Sequence, residues 1–164
     1  MQRIFISSVQ KEFAAERTAL ADYLRTDPLL LRFFDPFLFE ELPAIDQQTS
    51  AAYLTQVASC DIYLELFGDS YGFEDAQGVS PTEHEFNCAT RLQKARLIYV
   101  KGETDQGKHP KMQALIKHAS NQVIRRRFGN SANLHPAVYA SLLVHRKNPE
   151  FFTHCTFSSQ LSAD

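Results

Sequence analysis

At 164 residues, with 44% apolar and 22% charged side chains, the chain suits one packed domain, which excludes a disordered tail or a fibre. The net charge of −2 conceals a split: residues 1–90 carry 5 Lys/Arg against 15 Asp/Glu, and residues 91–164 carry 12 against 4, or −10 and +8. No apolar run approaches the roughly 20 residues of a membrane span, and the start passes from Ile4-Phe5-Ile6 into polar Ser7-Ser8 with no signal-peptide stretch.

Residues 2–6 read as a first strand, broken by Ser7-Ser8. Phe13, Leu20 and Leu24, with Ala14, Arg17 and Ala21 between them, predict a helix over about 9–25 that stops near Asp27-Pro28. Residues 33–39 form a second strand, placed at an edge or bulge by Pro36. An acidic stretch over 40–46 leads to a helix over 49–59 with Tyr53, Leu54, Val57 and Ala58 inward. Residues 61–67 are the third strand, ended by Gly68, and a loop runs to Val79. Ser80 to Ala95 is a helix and 96–100 the fourth strand. His109-Pro110 opens a helix through Ala119, 122–128 is a fifth strand, and the last helix covers about 134–146. Strands and helices alternating at this spacing predict an α/β fold around a mostly parallel five-stranded sheet. One domain over 1–146 and a tail or linker over 147–164 follow from the same pattern.

In such a sheet ligands bind at the carboxyl ends of the strands, beside the switch in strand order. That rule selects Ser7-Ser8-Val9-Gln10, Gly68 to Gly72, and the start of the Ser80 helix. None holds a G-x-G-x-x-G or Walker fingerprint, which disfavours a dinucleotide fold of the usual kind or an NTPase. Ser80 is the expected N-cap, Pro81 the first helical residue, and Glu83 the closing partner of a capping box. Glu83 then shares its side of the helix with Asn87, Thr90 and Lys94, while Glu85 shares the sheet-facing side with Cys88, Ala89 and Leu92. A carboxylate at Glu85 is desolvated yet near a helix N-terminus, which suits a nucleophile or a stabiliser of positive charge at a sugar carbon. The structural alternative is a buried acceptor for Ser7, Ser8 or nearby backbone.

Phe5-Ile6-Ser7-Ser8 with Glu16-Arg17, Phe67-Gly68 with Tyr71-Gly72, and Ser80-Pro81-Thr82-Glu83-His84-Glu85-Phe86 with Ala89 together resemble a bacterial domain-of-unknown-function family that opens with F-I-S-S. The resemblance covers residues 1 to about 146. It implies an N-terminal domain ahead of ATPase modules of DNA-helicase-related or regulatory proteins. At one remove, Thr82-x-x-Glu85-x-x-x-Ala89 is similar to the segment of nucleoside 2-deoxyribosyltransferases that carries their catalytic glutamate, and TIR domains share the architecture. This implies a flavodoxin-like or TIR-like three-layer fold, a catalytic Glu85 and a nucleotide pocket lined by Ser7, Ser8, Tyr71 and Thr82. Gly68 and Asp69 belong to the same candidate site, Asp69 either as turn chemistry or as a ribose contact. The long Tyr71–Val79 loop departs from the compact pattern of those enzymes.

The remaining candidates read more simply. Arg125-Arg126-Arg127 protects a sheet edge or contacts phosphates, and sequence-specific nucleic-acid binding is not expected. His84, His109, His118, His135, His145 and His154 lack metal-ligand spacing, and Cys60, Cys88 and Cys155 lack that of a zinc site or disulfide framework, so a cytoplasmic protein without a metal is expected. Two functions follow. One is cleavage or transfer at an N-glycosidic bond of NAD or a nucleoside through Glu85, with no cofactor required and NAD or another nucleotide as substrate or ligand. The other is a non-catalytic sensing or interaction module regulating a downstream ATPase, with the charge split serving self-association or docking.

Overall fold

Side chains alternate sides along the central strands, and that alternation decides which helices cover which face of the sheet. The structure, a computed structural model, describes residues 1–43 and 49–148. β1 (Gln2–Ser8), β3 (Ile62–Phe67) and β4 (Ala95–Lys101) are central, and β2 (Phe34–Phe37) and β5 (Arg125–Phe128) are the edges. The order is β2-β1-β3-β4-β5 and every pairing is parallel, which makes this an α/β flavodoxin-like sheet. Ile4, Ile6, Leu64, Leu66 and Tyr99 pack toward α1 (Gln10–Thr26) and α5 (Ser131–Lys147). Phe5, Tyr63, Phe67, Ile98 and Val100 pack toward α2 (Thr49–Ser59), α3 (Pro81–Arg91) and α4 (Pro110–Ser120). Ser7 and Glu65 belong to this second face by the same period of two.

Several boundaries differ from the sequence reading, each for a local reason. α3 ends at Arg91 rather than Ala95, because Gln93 turns to a positive φ of 54° while Lys94 N–H bonds back to Ala89 O. The Lys94 ammonium then holds the end of α2, donating to Ala58 O and Cys60 O at 2.7 Å each. Leu92, expected inward, is therefore exposed, as is Ala58; Ala52 takes the buried place on α2. Ala14 also faces solvent, whereas Arg17 is buried. α5 starts at Ser131 because the Asn130 side chain caps the Asn133 N–H.

Both edge strands behave as their residues require. Pro36 lies in β2, where a missing N–H costs no ladder bond on the open side. On β5, Arg125 donates to Ser120 Oγ and Arg127 pairs with Asp105 at 2.9 Å. The charge split is met inside the domain, where Glu16–Lys101, Asp69–Lys108 and Glu74–Lys111 each join the acidic half of the chain to the basic half. Cys60 and Cys88 are free and buried. His154, Cys155 and the expected tail beyond Asn148 lie outside the described residues, as does part of the acidic stretch after Pro43. Among the described residues no helix is long and apolar enough to cross a membrane.

Candidate active site

The winding of the sheet reverses between β1 and β3, and the carboxyl ends of those strands open onto a cleft of about 1090 Å³. Three segments selected from the sequence converge on it: Ser7 to Gln10, Asp69 to Gly72, and Pro81, Thr82 and Glu85 of α3. Phe39, Tyr53 and His109 complete the walls, with the Phe39 and Tyr53 rings stacked at a centroid distance of 3.7 Å. This is a concave site in which aromatic rings stand among hydroxyls and charged side chains.

Glu85 projects from the first turns of α3 toward the sheet and is only 4% exposed. Its Oε2 accepts a hydrogen bond from Ser7 Oγ at the end of β1. Burial pushes its carboxyl up to about 7, against the pull of the Ser7 hydroxyl and the Arg17 charge. Glu85 thus changes charge near neutrality, a property shared by many catalytic carboxyls. Thr82, one turn earlier, is buried and also lines the cleft.

Ser7 is held from below. The Tyr63 hydroxyl lies 3.2 Å from Ser7 Oγ and also bonds to Glu65 Oε2. Tyr63 and Glu65 are fully buried on β3, and Glu65 is the register partner of Ser7. Desolvation raises both groups well above their ordinary values. Sequence reasoning missed this pair, although a carboxylate inside the apolar run Ile62–Phe67 was a visible signal. Arg17 gave a similar one, a guanidinium on the inward stripe of α1. It donates to Glu40 Oε2 at 2.6 Å and stands 3.5 Å from Ser8 Oγ, the outer limit of a hydrogen bond.

The loop residues divide between lining the site and building it. Gly68 does not line the cleft. It gives room to Glu12, whose carboxylate accepts the Asp69 N–H at 2.6 Å and the Ser70 N–H at 3.0 Å. Asp69 lines the cleft and holds the buried Lys108 ammonium at 2.7 Å. Tyr71 lies inside the expected capping box. Ser80 Oγ accepts the Glu83 N–H as anticipated, but Ser80 N–H donates to Tyr71 Oη, which in turn donates to the Glu83 carboxylate. The Tyr71 ring stacks on His109, the N-cap of α4, at 5.6 Å. Among the described residues no cluster of His, Cys, Asp and Glu could hold a metal ion.

The fold is shared with a solved protein at low identity. The Clostridium botulinum CMP N-glycosidase BcmB aligns with a TM-score of 0.55 and 12% identity, over 85% of this chain and 99% of that one. A conserved protein from Enterococcus faecalis V583 aligns at 0.49 and 13%, over 86% and 99%. No curated protein sequence matches. A family model described as a domain of unknown function, DUF4062, matches residues 3–143.

Proposed function

Because this chain belongs to the DUF4062 family, whose description names no activity, its function is read from the cleft, and we propose that it cleaves or transfers at an N-glycosidic bond of a nucleotide, nucleoside or NAD. The observation that carries the reading is Glu85: a buried carboxyl at the switch-point cleft, oriented by Ser7 and ionising near neutrality. A shared fold with an N-glycosidase supports the reaction class without specifying a substrate.

In this scheme the sugar's anomeric carbon sits at Glu85 and the base lies between the aromatic walls. The C–N bond breaks with its electron pair leaving on the base, and a Glu85 oxygen either bonds to the anomeric carbon or faces it as an oxocarbenium ion. Water, or a second base, then takes the sugar and restores the carboxylate; the proton it gives up goes to the departed base, or to solvent where that base leaves neutral, as nicotinamide does. Ser7 fixes the rotamer of Glu85, while Ser8, Asp69, Tyr71 and Thr82 contact the sugar and its substituents.

Base release from NAD, nucleosides and nucleoside monophosphates, followed by chromatography, tests the reading. The parent should release a base from at least one of them. Glu85→Gln should lose at least about a hundredfold in turnover and keep the fold, since an amide neither forms the ester nor offsets positive charge. Glu83→Gln should turn over within about threefold of the parent, since its amide still reaches Tyr71. Release unaffected by Glu85→Gln overturns the mechanism; no release from any of these substrates leaves the non-catalytic module ahead of an ATPase domain.

A further inference from the structure

Four polar side chains stand in a row from β3 through β1 to α3: Glu65, Tyr63, Ser7 and Glu85. Successive members touch through Glu65–Tyr63, Tyr63–Ser7 and Ser7–Glu85. The two hydroxyls supply two protons for three contacts. With both carboxyls ionised, Tyr63 donates to Glu65 and Ser7 to Glu85, and the middle pair meets oxygen to oxygen with no proton between. One more proton fills all three contacts, and it resides on one of the two carboxyls.

We infer that Glu65 and Glu85 share a single proton through Tyr63 and Ser7, and that Glu65 stores it so that Glu85 faces the cleft charged. The two ends differ in the way this requires. Glu85 lines the cleft, whereas Tyr63 and Glu65 lie beneath it with no exposed surface. Glu65 Oε1 is buried without a partner among the described residues, which an uncharged carbonyl oxygen tolerates far better than a carboxylate oxygen. Around the row stand Arg17 from α1, Tyr53 from α2 and Arg96 from β4. Arg17 favours charge on either carboxyl, and burial lifts Tyr53. Burial raises both carboxyls, Glu65 well above its usual range and Glu85 only to about 7, in the order the geometry gives.

The transfer balances without solvent. The Glu65 O–H proton passes to Tyr63 Oη, the Tyr63 proton to Ser7 Oγ and the Ser7 proton to Glu85, so the negative charge moves from Glu85 to Glu65. Glu65 is a positioning residue: it sets the charge of a group it does not touch. The use of that charge as a nucleophile rests on the glycosidic reading; the sharing of the proton does not.

Infrared spectroscopy of the full chain, with carboxyl-labelled glutamate and near pH 8, reads the proton directly. The expected spectrum holds one protonated-glutamate carbonyl band, lost in Glu65→Gln and kept in Glu85→Gln. In Tyr63→Phe the band moves to higher frequency, because the acid loses its acceptor. No such band in the parent overturns the proposal, even where a variant fails to fold. So does a band lost in Glu85→Gln and kept in Glu65→Gln, or one unmoved in Tyr63→Phe. Base release is measured on the same samples: a parent that shows the band and releases nothing loses the glycosidic reading alone, and the shared proton stands.

Discussion

Glu12 fills the space that a side chain at Gly68 would need: a Cβ added there would lie 2.2 Å from Glu12 Oε1. The carboxylate is placed so because it collects the Asp69 and Ser70 N–H groups as the loop leaves β3. Gly68→Ala should displace the flexible end of Glu12 and lose those charge-assisted bonds, at about 1–2 kcal/mol. A double-mutant cycle by thermal melts checks this, since Glu12→Ala should cost much less in the Gly68→Ala background than in the parent.

Stability should fall with pH across the titration of Glu85. Its folded pKa, about 7, lies above the ordinary 4.5, so between those values the folded state holds a proton that the unfolded state has released. The stabilisation is therefore complete below about 4.5 and lost as pH rises through about 7. Glu85→Gln removes the penalty while still accepting the Ser7 hydrogen bond. It should melt higher than the parent at pH 8, by the equivalent of about 1–3 kcal/mol, and close to the parent at pH 4.5. A Gln variant less stable than the parent at pH 8 would assign Glu85 a supporting role instead.

Tyr71→Phe keeps the ring on His109 and removes the oxygen between Ser80 and Glu83. The expected loss is about 1 kcal/mol, comparable to a helix cap. Chemical denaturation measures it, and an unchanged midpoint would mean that the Tyr71 hydroxyl serves the ligand alone.

Lys108 is a buried ammonium bonded to Asp69 Oδ1 and Lys101 O at 2.7 Å each. Lys108→Met keeps the stem and strands the carbonyl, for an expected cost of about 1–3 kcal/mol. Asp69→Asn retains an acceptor and should cost less. Melts on both variants give the ordering that checks the latch.

The parallel five-stranded sheet and the three loops at its switch point were legible because they depend on apolar runs and breakers that repeat along the chain. Glu85 was legible for a related reason: helical periodicity from a well-marked N-cap puts it on the side of Cys88 and Ala89. What escaped was set by tertiary contact. Nothing local in Ser80-Pro81-Thr82-Glu83 shows that Tyr71, 9 residues before Ser80, enters the capping box. Glu65 and Arg17 are charges among apolar neighbours in the sequence, but their meaning comes from the strand and helix packed beside them.

The segment from Tyr71 to Ser80 is moored at both ends and along one side. Tyr71 is clamped by Ser80, Glu83 and His109. Asp75 gathers the Gln77 and Val79 N–H groups and meets His84, and Lys111 holds Glu74 and the Gly78 carbonyl. Phe73, 81% exposed, is left at the rim of the cleft, outside all of these ties. The ties fix the segment around Phe73, so that exchanging Phe73 alone would reshape the rim of the cleft while Thr82 and Glu85 stay where α3 puts them.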